Sequence, residues 1–429
     1  MSQQKQGGNI VAIIMMIFLF GMIAFVTNLA APMGVVLKNQ FGVSNAMGAL
    51  GNMANFIAYA VMGIPGGLLL QKMGYKKTAL IAIAFGFVGV FIQYLSGYAA
   101  NFAVYLLGAF VAGFSMCLLN TVVNPMLNTL GGGGNKGNQL IQVGGSFNSV
   151  MATFTPAFVG ILIGEASKAK ITDVFPVMYI AMGVFALVFF VLWAVSIPEP
   201  HAERSSEPLG KLMSGAIKFR HFVLGAIAIF VYVGVEVGIP QTVNLWLSDA
   251  SASSVGATTA GFVAGTYWFL MLIGRLCGAS IGSEVSSKTM LSVASSIGLI
   301  LVILAIFSPT TSQVSLPLLQ KSDTGAISFG LAQVPINAMF LVLVGLCTSI
   351  MWGGIFNLAV EGLGKYLAAA SGLFMVMVCG GGILPWIQAN VADFAGYMPS
   401  YWVIFAGLAY LLYYALIGSK NVNKDISVE

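Results

Sequence analysis

PEPHAERSSEPLGKLMSGAIKF, residues 198–219, is the longest polar stretch in a chain that is otherwise a succession of apolar runs. Six such runs precede it, near 9–37, 48–70, 77–97, 102–130, 138–164 and 174–197. Six follow it, near 220–248, 256–281, 287–308, 331–358, 369–391 and 398–418. Each has at least 18 residues with few or no charges, enough to cross a hydrocarbon core of roughly 30 Å as a helix. The stretch therefore reads as a linker between two equal halves. Composition agrees: 58% of the 429 residues are hydrophobic and 7% charged, against about 25% charged in a soluble domain.

The expectation is an all-α membrane protein of twelve transmembrane helices in two pseudo-symmetric six-helix bundles. Residues 1–197 form the first bundle, 198–219 a cytoplasmic linker, and 220–429 the second bundle with a short tail. Strand alternation is absent, so a barrel is not the reading. The first run is far longer than the core of a signal peptide and has no cleavage pattern, so it stays as a helix. Lys38, Lys168, Lys170 and Lys321 fall on one side of the membrane, and the other 14 of the 18 Lys and Arg, Arg275 among them, on the opposite side. Basic residues favour the cytoplasm, which places both termini there. The net charge of +5 is a matter of topology and points to no nucleic acid.

A weak internal echo supports two related halves. Gly63, Gly67, Lys77 and Thr78 recur as Gly274, Gly278, Lys288 and Thr289 at one offset of 211 residues. The G-x-x-x-G pairs are expected to be close-packing surfaces, since small residues let helices approach in lipid.

Polar residues inside a membrane helix must find partners, so they carry the functional information. In CLLNTVVNPMLNTL (117–130), Asn120, Asn124 and Asn128 stand at four-residue spacing and form one stripe. A single amide could be interhelical glue, worth only about 0.6 kcal/mol. A stripe is harder to explain so, and Pro125 adds a freed carbonyl to it. Candidate cavity residues are Asn120, Asn124, Gln142, Asn148, Gln241, Asn244, Asn357 and Gln388. Neutral amides suit a polyhydroxyl solute, whose hydroxyls both donate and accept. Trp268 and Trp352, with Tyr267 and Trp386, could stack on the apolar face of a sugar ring, although most membrane aromatics face lipid or its interface.

Glu236 is the one carboxylate well inside a predicted span and is the candidate for coupling to a sodium ion or a proton. Glu361 and Asp393 lie near helix ends. GGGGNKGN (131–138) lacks the G-K-[ST] ending of a phosphate loop and reads as a turn. His201 and His221 flank the linker and are expected in solvent. The four cysteines have no zinc spacing, no resident metal or cofactor is expected, and no enzymatic constellation stands out.

Several stretches resemble the fucose:proton symporter family of major facilitators, which also includes bacterial glucose/galactose transporters. They are NTVVNPMLNTLG with FNSV (147–150), FVYVGVEV (230–237), GRLCGA (274–279), and IFNLAVEGLGKY with SGLFMVMVCGGGILPWIQANVAD (355–393). The resemblance covers most of the chain from residue 20. It implies a monosaccharide importer of the bacterial inner membrane working by alternating access, with a sugar and the bilayer as partners and a monomer as the working unit. It also puts Asn124, Pro125 and Asn148 near the sugar and matches Glu236 to a family acidic position. Three departures stand out: Asn120 replaces a usual Glu, Ala31 a usual Asp, and Gly145 a usual Gln. An amide does not titrate, so the family's proton route through those carboxylates is missing. Three energetic variants remain, namely sodium symport, proton symport through Glu236, and uniport. The competing readings are efflux of amphipathic compounds, suggested by 22 Met, and a non-transporting receptor.

Overall fold

The computed structural model describes residues 10–27, 45–163, 170–199, 208–249, 251–253, 255, 257–321, 327–423 and 426. The expectations for Ala31, Lys38, Lys168, His201 and Arg204 fall outside these residues.

The first half begins with α1 (Ile10–Thr27) and α2 (Asn45–Ala99). The second of these reverses at Gly74, whose φ of 81° belongs to the left-handed region, so it crosses twice. The Glu199 carboxylate fastens this turn, accepting from the Tyr75 and Lys76 backbone N–H groups at 2.8 and 3.1 Å. Lys76 Nζ donates in turn to the Trp193 and Val195 carbonyls. The start of the polar linker is thus tied to the loop between the second and third crossings.

The half continues with α3 (Phe102–Leu130), α4 (Gly134–Ile163) and α5 (Phe175–Ala194). Asn101 caps α3, its Oδ1 accepting from Ala103 N at 2.8 Å. Gly132, Gly133 and Gly134 follow at φ of 81, 72 and 52°. The glycine run is therefore a tight reversal between helices, as its sequence suggests. Among the described residues ten segments are long and apolar enough to span a membrane. The doubled α2 and the 30-residue α4, whose Asn, Gln, Ser and Gly lower its hydropathy, complete twelve crossings.

The second half holds α6 (Leu209–Ile217), a short helix within the linker, then α7 (Arg220–Ser248), α8 (Ala257–Ile281) and α9 (Ser287–Phe307). The tenth crossing breaks into α10 (Ile336–Thr348) and α11 (Met351–Val360). The eleventh breaks into α12 (Leu367–Val376) and α13 (Gly380–Ala395). The last crossing opens with α14 (Tyr397–Tyr413).

Between α9 and α10 the structure departs from the sequence expectation of no strand. β1 (Gln313–Lys321) and β2 (Ile327–Pro335) pair antiparallel, Gln313 opposite Pro335 and Leu318 opposite Gly330. Leu316 and Leu318 are buried on one face while Phe329 and Leu331 are exposed. Hydropathy averaged over the length of a membrane helix smooths out a nine-residue alternation of this kind.

The halves meet where small residues permit. At Gly63 an added Cβ would stand 2.7 Å from Val376 N and 2.8 Å from Gly372 O, so only hydrogen lets α2 lie against α12. The opposite seam is α4 against α8.

Candidate functional site

A cavity of about 400 Å³ lies between the halves, within the size range of sites for small molecules. Phe20, Ile23 and Thr27 of α1, Phe56 and Tyr59 of α2, Met116 and Asn120 of α3, and Asn148 and Ala152 of α4 form one wall. Val233, Glu236, Val237, Pro240, Gln241 and Asn244 of α7, Ala264, Trp268 and Arg275 of α8, Trp352 of α11, and Val378 form the other.

The amide stripe of α3 runs down from this cavity, and each member meets a different neighbour. Asn120 is at the wall, its Nδ2 donating to Tyr59 Oη at 2.8 Å. One turn deeper, Asn124 donates to the Asn120 carbonyl at 2.9 Å and accepts from the Trp352 indole Nε1 at 2.9 Å. Another turn down, Asn128 Nδ2 donates to Asn357 Oδ1 at 2.8 Å, and Asn357 Nδ2 donates to Ser287 Oγ at 2.9 Å. The stripe therefore passes from the cavity wall to its floor to a seal between halves.

Other amides reinforce the seal at the end of the bundle where α3 turns into α4. Gln142 Nε2 donates to the Ile350 carbonyl at 2.9 Å, and Gln139 Nε2 to the Ala279 carbonyl at 3.0 Å. The α10–α11 break frees carbonyls in mid-membrane, and a freed carbonyl there needs a partner. Arg275 Nε takes the one at Ser349 at 3.3 Å, while the Ile350 carbonyl, which accepts from Gly354 N at 3.3 Å, also accepts from Gln142.

Arg275 is the second charge in the cavity. Its Nη2 meets Glu236 Oε1 at 3.3 Å. Nη1 reaches across the α4–α8 seam to Gly145 O at 3.0 Å, Asn148 Oδ1 at 3.2 Å and Ser149 Oγ at 2.7 Å. The two charges cancel, leaving a cavity with no net charge.

Residues 13–385 match the family profile described as Major Facilitator Superfamily. This chain belongs to the major facilitator superfamily. A glucose/galactose transporter of Brucella abortus is 27% identical over 429 residues, 98% of this chain and 96% of that protein. The L-fucose-proton symporter of Escherichia coli is 22% identical, covering 89% and 87%. Among solved structures, the transporter FucP in its outward conformation aligns with a TM-score of 0.78 at 18% identity over 96% of this chain and all of that one. The proton:xylose symporter XylE aligns with a TM-score of 0.69 at 13% identity.

In this major facilitator Asn120, Asn148, Gln241, Asn244, Trp268, Trp352 and Glu236 line the cavity, while Asn124, Gln142, Asn357 and Gln388 do not. Asn124, Gln142 and Asn357 are spent on the floor and the seal. Gln388 of α13 is wholly buried against α7, its Oε1 2.6 Å from where a Cβ on Gly238 would stand, and neither amide atom has a described partner. Trp386 is 61% exposed on the outside of the bundle. Tyr267 is buried with its hydroxyl on Thr348 at 2.7 Å.

Two further expectations are overturned. Arg275 is not at the membrane boundary but in the interior, because Glu236 and the oxygens of α4 together replace its water. His221 is buried, its Nε2 within 2.9 Å of the Glu361 carbonyl, since α7 enters the bundle at that residue. The sequence reading also passed over Tyr59. Arg275 carried a usable signal: it stands six residues inside the end of α8 at Ile281, more than a turn from any boundary where a side chain reaches water unaided.

Proposed function

We propose that this major facilitator is a secondary importer of a neutral monosaccharide, working by alternating access with a proton entering through Glu236. The observation that carries the reading is the cavity: amides and indoles around a charge pair that cancels itself. Such walls, set among apolar side chains such as Phe20, Phe56 and Val233, suit a neutral solute that offers hydroxyls to the amides and an apolar face to the rings, and they carry no net negative charge to hold a lipophilic cation. The names of the relatives from Brucella abortus and Escherichia coli support a sugar and, for the latter, a proton. Carrying one cation down 100 mV supplies about 2.3 kcal/mol, enough for roughly fifty-fold accumulation.

The excess of Lys and Arg puts the sealed end and both termini in the cytoplasm of a bacterial inner membrane, so the cavity faces outward. Residues 198–219 join the halves as a linker, and the working unit is a monomer.

Uptake of labelled hexoses into proteoliposomes tests the reading. Accumulation driven by a proton gradient and abolished by Glu236→Gln is expected. Accumulation driven by sodium alone would replace the proton, and efflux of lipophilic cations without sugar uptake would overturn the substrate class.

A further inference from the structure

Glu236 does not face the cavity alone, and Arg275 has a second set of partners that a simple counter-ion does not need. The guanidinium is forked, and its two ends serve different bodies. Nη2 and Nε bind Glu236 and the Ser349 carbonyl within the second half. Nη1 binds three oxygens of α4 in the first half, from Gly145, Asn148 and Ser149. Resting on the importer reading above, we propose that Arg275 is a latch between the halves whose hold on α4 depends on the ionised state of Glu236.

Gly145 makes the dock. A Cβ there would touch Arg275 Cδ at 3.4 Å and Nε at 3.6 Å, ordinary contact distances, so the stem and guanidinium of Arg275 lie where the further atoms of a longer side chain would extend. A Gln at that position would compete for the same space, and Gly145 admits Arg275 instead. The chain thus brings its own cation into the α4–α8 seam.

The proton step follows from the balance of charge. With Glu236 ionised, the guanidinium is neutralised where it lies and stays docked. When Glu236 takes up a proton from the cavity, one O–H bond forms and the pair changes from neutral to a net +1. A buried guanidinium with only neutral oxygens around it is unstable there. It leaves α4 for the aqueous side, the seam loosens, and the seal at Gln142, Asn128 and Asn357 is free to part. A proton needs one carboxylate oxygen, whereas a metal cation needs a shell of oxygens that the guanidinium already engages.

The groups around Glu236 leave the response to this pair. Tyr232 on its own helix, Tyr267 of α8 and Tyr59 of α2 are phenols, neutral at any pH of interest. Helices α10, α11, α12 and α14 contribute no charged residue. Asp393 lies near the far end of α13, and His221 about four turns back along α7.

Hydrogen exchange read by mass spectrometry on the intact protein in nanodiscs tests the latch without any sugar. Lowering the pH from about 8 to about 5 is expected to raise exchange about tenfold, after correction for intrinsic rates, at residues 142–149 and 349–353. Glu236→Gln holds both segments at the low-pH level throughout. Arg275→Gln does the same, and the double variant adds nothing further. Gly145→Gln, which changes no charge and leaves Glu236 in place, also abolishes the response by denying Arg275 its dock. A melting curve checks that each variant is folded, and Gly145→Gln keeps the test open if the buried-charge variants do not fold. A pH response that survives in folded Gly145→Gln or Arg275→Gln, or its absence from the unaltered protein, overturns the latch. Failure of sugar uptake with the exchange pattern intact would instead overturn the importer reading and leave the latch standing.

Discussion

The indole of Trp352 on α11 donates to Asn124 Oδ1 on α3 at 2.9 Å, joining the two halves at the floor of the cavity. Trp352 packs its ring edgewise on Phe374 and lies 6.2 Å from Tyr232, centroid to centroid, so the donor is held in position by aromatic packing. Trp352→Phe keeps most of that packing and leaves Asn124 Oδ1 without its donor. An unmade buried bond costs about 1–3 kcal/mol, levied here on the sealed state alone. The variant is expected to raise hydrogen exchange at residues 349–353 by tenfold or more; an unchanged rate would mean that the bond contributes nothing to the seal.

The Asn128–Asn357 contact lies one turn deeper and is a pair in which each single change removes the same bond. Asn128→Ala and Asn357→Ala are each expected to weaken the seal by about 1 kcal/mol. The double variant should be less severe than the sum by a coupling of about 0.5 kcal/mol or more. Melting temperature and hydrogen exchange of the four proteins complete the cycle, and strict additivity would remove the direct contact.

Asn120 and Tyr59 line the same wall of the cavity and are joined by a hydrogen bond. Asn120→Leu removes a wall amide and strands the Tyr59 hydroxyl. Sugar affinity is expected to fall about tenfold or more, equivalent to about 1.4 kcal/mol, with little change in hydrogen exchange at the seal. Titration calorimetry on the purified protein measures it; affinity within twofold of the parent would take Asn120 out of the wall's function.

Glu199 acts far from the cavity, at the Gly74 turn. Glu199→Ala leaves the Tyr75 and Lys76 amides without their acceptor and is expected to lower stability by about 1–3 kcal/mol. Sugar affinity should stay the same. A lowered melting temperature in detergent with unchanged binding is the expected pair of results.

Asp249, just past the end of α7, has its carboxyl held below the ordinary range. The Ser251 hydroxyl is the main cause, with the Ser251 N–H and the Tyr397 hydroxyl adding to it. A depressed native pKa means that the stabilisation is present above the unfolded value of about 3.9 and is lost as pH falls through the lower native value. Asp249→Asn is therefore expected to flatten the decline of melting temperature below about pH 4. An unchanged decline would assign the acid sensitivity elsewhere.

Twelve crossings in two halves and the amide stripe of α3 follow from the sequence alone. The lipid phase imposes one rule on every span: apolar length outside, satisfied backbone within. Periodicity likewise puts Asn120, Asn124 and Asn128 on one face, because four residues nearly complete a turn. Depth along that face is another matter. Whether an amide meets solute, an indole or another amide depends on what the opposite half presents at that level, which no local pattern in α3 encodes. Arg275 illustrates this most fully. Its own neighbourhood is an apolar run near a helix end, and only the approach of α4, emptied of a side chain at Gly145, with Glu236 from α7 makes a buried site for its charge. The tertiary structure thus decided which polar residues line the cavity and which hold it shut, because the free energy of a buried polar group is set by partners distant in sequence.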